Sequence, residues 1–243
     1  MITDSHATQP TLEQRRSLRR VMSTDRSSIP ASLRSALWSD PSGLIASGEM
    51  LKDGDRCTVV AVTDESWRGV LKRYNLKDPL HTTVHAVMRS RARWSWRNGW
   101  RLIESGVPTP RPVAMVEDRV GPLRLKSYLL TEFVEGRPLR DVMSEAGATE
   151  AVEPLVGQFL RIWEQLGGLR ASHGDMKDTN FIVDPTGQLW LVDLDGMRFH
   201  APGPLFDRAR RRDFAIFMRN WTRPWIPVET ARLFRARLEG QIA

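Results

Sequence analysis

A polar octapeptide in the second half of the chain restricts its possible folds more than any other feature. The stretch HGDMKDTN, residues 173–180, lies between an apolar helical pattern and the apolar run Phe181–Val183. Buried polar side chains without partners are costly, so a chain that sets so many of them beside its core is expected to pair them or to use them. The octapeptide therefore predicts a structured polar loop with a chemical role.

The first half of the chain is predicted to form a sheet and a long helix. Between residues 81 and 104, apolar side chains recur at steps of three and four, which predicts one continuous helix. The proline-rich stretch 107–112 is expected to end that helix, because the residue before a proline avoids the helical conformation. Short apolar runs separated by turn residues predict strands at 44–46, 57–62, 69–74, 113–116 and 127–133.

The second half is predicted to be mostly helical. A helical pattern runs from 151 to 166 and stops at Gly167 and Gly168, and the octapeptide and a hairpin with the turn DPTG follow it. This order predicts an α+β fold with a small antiparallel-sheet lobe and a mostly helical lobe. The predicted divisions are a flexible basic arm with room for a short helix at 12–22, a first lobe and a second lobe, at residues 1–35, 36–134 and 135–243.

Charge and composition limit the class of partner. The 243 residues carry a formal charge of +7, which favours polyanions such as nucleic acid, anionic lipid headgroups or a phosphorylated substrate. No apolar run reaches about 18 residues, so no membrane-spanning helix is expected. The N-terminus lacks the apolar centre of a secretory signal, and the single cysteine, Cys57, excludes an internal disulfide framework. These features predict a cytoplasmic location.

Four residues in and after the octapeptide suit phosphoryl transfer. That reaction needs a carboxylate to accept the proton of an attacking hydroxyl, a cation near the migrating phosphoryl group, and oxygen ligands for Mg²⁺. Asp175 and Lys177 match the first two needs, and Asn180 with Asp193 matches the third. The intervening hairpin is predicted to fold Asp193 back beside Asn180.

The octapeptide resembles the catalytic loop H-R-D-x-x-x-x-N of the protein-kinase-like superfamily, and VDLDG resembles its D-F-G magnesium element. Gly174, in place of the arginine, resembles the aminoglycoside-phosphotransferase side of that superfamily. The resemblance implies a bilobal kinase-like fold that binds ATP and Mg²⁺. It also implies that Asp175 is the base, that Lys177 stabilises the transferring phosphoryl group, and that Asn180 and Asp193 hold the metal.

The same resemblance implies an ATP site upstream of the octapeptide. Lys72, in the third predicted strand, occupies the place of the lysine that holds the α- and β-phosphates. The segment TEFVEG is similar to the hinge between lobes, where backbone groups from Glu132 to Val134 pair with adenine. Two features depart from the superfamily pattern: the turn at 52–56 has a single glycine, and the helix carries no glutamate for Lys72 near Ser95.

Several stretches together resemble the bacterial lipopolysaccharide kinase family that includes the heptose and Kdo kinases of the inner core. They are VLKRYN, SRARWSWRNGWRLIESGVPTPRPVA, YLLTEFVEG, HGDMKDTNF and LVDLDGMRF. The resemblance implies a cytoplasmic or peripheral inner-membrane enzyme that phosphorylates a sugar hydroxyl of the lipid-linked core with ATP and Mg²⁺. No nucleic-acid partner is expected. The alternatives are a kinase that acts on protein or a small molecule, and a catalytically weak nucleotide-binding scaffold.

Asp213 and the tail have two readings each at this level, and His173 has one. Asp213 either braces the backbone of the catalytic loop or complements the start of a helix. His173 is expected to support the loop through hydrogen bonds. The basic amphipathic tail, residues 224–243, either lies on a membrane surface or docks on the protein.

Overall fold

The computed structural model describes residues 11–75, 90–121, 123–145, 149–221 and 227–242. The chain forms two compact units. Unit 1 comprises residues 1–96 and 111–133, and unit 2 comprises residues 97–110 and 134–243. The chain is α+β as predicted, whereas the bilobal arrangement stays a prediction. No helix in the described part of the chain is long and apolar enough to cross a bilayer.

Unit 1 is built on one antiparallel sheet of seven strands. The strands lie side by side in the order β1-β2-β6-β7-β5-β4-β3. Their bounds are β1 Leu12–Arg16, β2 Arg20–Asp25, β3 Glu49–Gly54, β4 Cys57–Asp64, β5 Trp67–Tyr74, β6 Pro112–Val120 and β7 Leu123–Glu132.

Two short helices cover one face of this sheet. They are α1, Ala31–Ser39, and α2, Pro41–Ser47. The side chain of Asp40 accepts a hydrogen bond from the amide of Gly43 and Pro41 is the first helical residue, so α2 has the usual start signals of a helix. Leu37 of α1 and Ile45 of α2 pack with buried residues of β4 to β7, and this contact forms the core of unit 1.

The long helix is shorter than predicted. Helix α3 spans Arg91–Glu104, and Ser90 before it is not helical, so the predicted helix is not continuous from residue 81. Its predicted positions 81–89 lie outside the described residues. The end of the helix is also set differently, because the positive φ of Gly106 allows the amide of Val107 to bond the carbonyl of Leu102 before the first proline.

Unit 2 combines helices with short paired strands. Helix α5 extends two residues beyond the predicted end, through Gly167 and Gly168. The helices are α4 Leu139–Glu145, α5 Thr149–Gly168, α6 Pro204–Asn220 and α7 Val228–Ile242. The strands are β8 Arg137–Pro138, β9 Ala171–Ser172, β10 Phe181–Val183, β11 Leu189–Leu191 and β12 Arg198–Phe199.

An aromatic cluster forms the centre of the core of unit 2. Phe159 of α5 stacks on Phe217 of α6 with ring centroids 3.8 Å apart, and Phe181 of β10 meets both rings at 5.4 and 5.6 Å. Leu238 of α7 is fully buried in the same core. The tail helix therefore docks on the protein, which was one of its two readings.

Two predictions for the first fifty residues are wrong. Residues 12–25 form strands β1 and β2 instead of a helix or a loose arm. All five side chains of β1 are exposed, so an apolar alternation that would reveal a strand is missing. Residues 44–46 lie in helix α2 and do not form a strand. So short an apolar run is compatible with a helix or a strand, and the N-terminal cap at Asp40 favours the helix. The predicted division between residues 134 and 135 stays a prediction.

Candidate active site in unit 2

Two strand pairs bring the octapeptide and the VDLDG segment together. Strand β9 precedes the octapeptide and pairs with β12, which follows VDLDG. Strand β10 follows the octapeptide and pairs with β11, which precedes VDLDG. Both loops are therefore anchored at both ends by the same two antiparallel ladders, and the amide of Val192 bonds the carbonyl of Asn180 at 2.9 Å. The hairpin that was predicted to return the chain to Asn180 is confirmed.

Two glycines allow these loops to cross in close contact. Gly174 has a φ of +82°, and a Cβ atom there would lie 2.7 Å from the carbonyl oxygen of Gly196. A Cβ at Gly196 would lie 2.8 Å from the carbonyl oxygen of His173. Since real Cβ atoms do not approach backbone oxygens so closely, any other residue at either position would push the loops apart. The glycine that replaces the kinase arginine is thus required by local packing.

The octapeptide folds back on itself through Asn180. Its side-chain Nδ2 donates to the backbone carbonyl of Asp175 at 2.8 Å, which turns the five-residue spacing of the motif into a contact. The Nζ atom of Lys177 lies 2.8 Å from the carboxylate of Asp175. Both side chains of this pair are about half exposed, whereas Asn180 is buried. Asp175 and Lys177 are thus accessible on a loop that Asn180 holds in shape.

A buried aspartate braces the start of the loop. The carboxylate of Asp213, on α6, accepts hydrogen bonds from the amides of His173 at 2.5 Å and Gly174 at 2.8 Å. Of its two readings, the brace is therefore correct. Burial raises the pKa of Asp213, and the two amide bonds oppose that rise without cancelling it. His173 is fully buried, with its Nε2 atom 3.1 Å from the carbonyl of Val192, so it supports the loop as predicted.

Asp193 has an unusual backbone conformation. Its φ and ψ of 60° and 62° lie in the left-handed region, which costs a non-glycine residue about 1 kcal/mol or more. The turn that follows is held by Asn98 of α3, whose Nδ2 atom donates to the carbonyls of Leu194 at 3.3 Å and Met197 at 3.4 Å. The surrounding structure thus maintains a strained aspartate next to Asn180.

The donor set of Asn180 and Asp193 suits Mg²⁺ better than a transition metal. In the part of the chain that the structure describes, no three His, Cys, Asp or Glu side chains gather as metal ligands. Mg²⁺ commonly takes one or two protein oxygens and completes its shell with water and substrate phosphates. Because Nδ2 of Asn180 is already a donor to Asp175, its side-chain oxygen is the atom that remains for a metal.

Two positioning residues were missed in the sequence. Asn98 is a buried polar residue of α3, and Thr109 donates its hydroxyl to the carbonyl of Leu191 at 2.7 Å. The amide of Leu191 in turn bonds the carbonyl of Pro108 at 2.9 Å. The proline-rich segment therefore holds the strand that leads to Asp193.

Predicted nucleotide residues in unit 1

Lys72 lies in the middle of strand β5 within unit 1. It is opposite Val59 of β4 and Leu129 of β7, and its Nζ atom lies 5.3 Å from the centre of the ring of Tyr74. The hydroxyl of Tyr74 is 3.5 Å from Oγ of Ser95 on α3, where the sequence lacks a glutamate. The strand face that carries Lys72 is thus the face toward α3.

Side chains hold the single-glycine turn between β3 and β4. The Nδ2 atom of Asn75 donates to the carbonyl of Gly54, and its amide bonds the carbonyl of Arg56, both at 3.2 Å. Arg73 donates to the side chains of Asn75 and Thr58, each at 3.0 Å. The residues of KRYN therefore stabilise a turn that occupies the place of a flexible glycine-rich loop.

Glu132 ends strand β7, and Val134, two residues later, is the first residue of the second segment of unit 2. The amides of Glu132 and Phe133 already donate to the carbonyls of Arg111 at 2.9 Å and Arg68 at 3.2 Å. Burial raises the pKa of the Glu132 carboxyl, which nearby Arg111 opposes. The amides of Glu132 and Phe133 are thus already used in backbone hydrogen bonds, and the pairing of this segment with adenine stays a prediction.

Comparison with known proteins finds one family and several bacterial proteins that are similar to this chain. The model of the family described as "Lipopolysaccharide kinase (Kdo/WaaP) family" matches residues 12–236. Three bacterial proteins named 3-deoxy-D-manno-octulosonic acid kinase are similar over shorter stretches. The protein of Xylella fastidiosa (strain M12) is 26% identical over 146 residues, which cover 55% of this chain and 56% of that relative.

The other two relatives are similar over less of the chain. The protein of Vibrio parahaemolyticus is 29% identical over 98 residues, or 40% of each chain. The protein of Photobacterium profundum is 29% identical over 94 residues, or 39% of each chain. The chain thus spans about half the length of its relatives, or less.

Proposed function

The chain belongs to the lipopolysaccharide kinase (Kdo/WaaP) family, and from this premise we propose that it is an ATP-dependent kinase. Its acceptor is a sugar hydroxyl of the lipopolysaccharide inner core, on heptose or Kdo. The observation that carries the proposal is the loop in which Asn180 bonds the backbone of Asp175 while Asp213 bonds the amides before it. Such a loop holds an accessible carboxylate and a cation in fixed positions, which is what phosphoryl transfer needs.

The residues of unit 2 have distinct roles in this proposal. Asp175 orients the acceptor hydroxyl and accepts its proton, and Lys177 stabilises the negative charge of the migrating phosphoryl group. The Nζ atom of Lys177 lies 2.8 Å from the carboxylate of Asp175, so the two groups that this reaction needs are adjacent. Asn180 and Asp193 hold Mg²⁺, which neutralises phosphate charge when it is bound.

We assign nucleotide binding to Lys72, Glu132 and Val134, of which the first two lie in unit 1 and Val134 lies in unit 2. Lys72 pairs with the α- and β-phosphates, and the carbonyl of Glu132 and the amide of Val134 pair with adenine. Support for Lys72 comes from its central position on β5 and from the contact of the same strand face with α3. The firm turn at Gly54 covers the phosphates in place of a glycine-rich loop.

The names of the similar proteins favour Kdo as the acceptor sugar. That sugar is part of a lipid-linked anionic core, so the proposal includes a cytoplasmic enzyme with peripheral contact at the inner leaflet of the inner membrane. The formal charge of +7 supports such a partner, because basic residues near an anionic leaflet each contribute about 1 kcal/mol.

The test measures transfer of labelled phosphate from ATP to Kdo-bearing core lipid, to a generic protein and to no added acceptor. We expect label on the core lipid alone, and Asp175→Ala is expected to lower kcat by about 10²- to 10⁴-fold because the base is lost. Asp207→Ala, an exposed aspartate on α6, is the matched control and should leave kcat unchanged.

Three outcomes contradict this function. If the folded Asp175→Ala variant keeps normal turnover, Asp175 is not the base. Label on protein alone points to the protein-kinase alternative, and nucleotide binding without transfer to any acceptor points to a scaffold.

A further inference from the structure

Two cations of unit 1 lie against one buried tyrosine ring. The Nζ atom of Lys72 is 5.3 Å from the centre of the Tyr74 ring, and the Cζ atom of Arg91 is 4.9 Å from it. Tyr74 is 3% exposed, whereas Arg91, the first residue of α3, is exposed. An aromatic ring attracts a cation but does not neutralise it, so the ring positions both groups and leaves them able to bind an anion.

Arg91 also contacts the turn between β3 and β4. Its Nη1 atom donates to the carbonyl of Arg56, the residue before β4, at 3.5 Å. The amide of Asn75, which follows β5, bonds the same carbonyl at 3.2 Å. Arg91 therefore links the strand that carries Lys72 to the turn that occupies the place of a glycine-rich loop.

The strand register gives the order of these groups along β5. Tyr74 pairs with Cys57, which directly follows Arg56. Lys72 lies two residues before Tyr74 and so shares its strand face. Lys72, the Tyr74 ring and Arg91 thus follow one another in the direction of the turn. A phosphate chain that starts at Lys72 and continues toward the turn brings its last group to Arg91.

We propose that Arg91 binds the γ-phosphate of ATP. In kinases a glycine-rich loop covers the phosphates, but the turn at 52–56 has one glycine and is held by side chains. A guanidinium presents its donors in a planar fork that matches two phosphate oxygens, so Arg91 can supply a contact that such a loop makes. Helix α3 has no acid before Glu104, so an anion near Arg91 meets no carboxylate of that helix. The inference rests on the proposed function, which assigns Lys72 to the α- and β-phosphates.

The test is isothermal titration calorimetry of the full chain with ATP and with ADP, each in the presence of Mg²⁺. Arg91→Ala should bind ATP about tenfold more weakly, because a charged contact to the γ-phosphate is lost, and should bind ADP as the wild type does. Arg91→Lys keeps the charge without the fork and should recover part of the affinity for ATP. The matched control is Arg16→Ala, which removes an exposed arginine from β1, an edge strand that β2, β6 and β7 separate from β5.

Three results would overturn the inference: a wild-type chain that does not bind ATP, an Arg91→Ala variant that binds ATP as tightly as the wild type, or one that loses equal affinity for ATP and ADP. The last result indicates that Arg91 only holds the turn in place. Selective loss of ATP affinity, in a chain whose wild type phosphorylates no acceptor, supports the γ-phosphate contact and removes only the kinase proposal. Phosphorylation of core lipid together with unchanged ATP affinity of Arg91→Ala does the reverse.

Discussion

The two units stabilise their buried carboxylates in opposite ways. In unit 1, Glu117 is fully buried and is surrounded by side-chain donors: Ser90 at 2.5 Å, Arg93 at 3.1 Å and Arg119 at 2.5 Å. Burial alone would raise its pKa, but these donors reverse the effect and lower it. In unit 2, Asp213 is bonded by backbone amides, and burial keeps its pKa raised.

The different donors indicate a different role for each carboxylate. Arginine side chains are long and charged, so they stabilise the ionised Glu117 and tie α3 to strands β6 and β7. Backbone amides carry only partial charges, but they belong to a definite loop conformation. Asp213 therefore sets the geometry of the octapeptide at some cost in electrostatic free energy, whereas Glu117 contributes to the stability of unit 1.

The largest expected effect comes from removing the carboxylate of unit 1. Glu117→Ala should lower the free energy of unfolding by about 3 kcal/mol, since it leaves a group of arginines without their shared partner. The estimate lies at the low end for a buried pair, because these arginines keep about a quarter of their side-chain surface exposed. Urea unfolding followed by tryptophan fluorescence measures the change.

The matched control is Glu49→Ala, which removes an exposed carboxylate that pairs with Arg68. That variant should change the free energy of unfolding by less than about 1 kcal/mol. Equal losses for the two glutamates would mean that the buried cluster adds nothing beyond a surface ion pair.

The next effect separates stability from turnover. Asp213→Ala should cost about 2 kcal/mol of stability, because the amides of His173 and Gly174 lose their acceptors. It should also lower kcat by about tenfold or more with little change in the KM for ATP, because the loop that carries Asp175 loses its brace. Asp207→Ala on the same helix is the control in both assays. A variant that loses stability but keeps full kcat would show that Asp213 is not a positioning residue.

The smallest expected effect is a difference in pH dependence. The folded pKa of Glu117 is below its ordinary value of 4.5, so the stability that it contributes is present above that value and is lost as the pH falls through the folded pKa. The folded pKa of Asp213 is above 3.8, so its contribution has the opposite sign and is lost as the pH rises through the folded pKa.

Urea unfolding at a series of acidic pH values tests these signs. Glu117→Gln should flatten the loss of stability on acidification, and Asp213→Asn should steepen it, each by at most about 1.4 kcal/mol per pH unit. Parallel curves for the two variants would contradict the contrast between the units.

Local sequence patterns predicted the parts of the fold in which the turn residues and the apolar periodicity indicate the same element. The strands near Cys57 and Gly69, the helix before Gly167 and the hairpin after Asn180 were predicted within a few residues. The patterns failed at β1, whose exposed residues show no alternation, and at Leu44, where a short apolar run suits either structure. The division into two lobes and the roles of the predicted site residues stay predictions.

By itself, the sequence determined the reactive residue types and their spacing: the acid, cation and amide of the octapeptide and the later aspartate. Only the tertiary structure decided that Gly174 crosses Gly196, that Asp213 bonds the loop, and that distant arginines meet at Glu117. The physical reason is that spacing along a chain fixes which groups are neighbours in a loop or helix, whereas burial and pairing depend on residues far away in sequence.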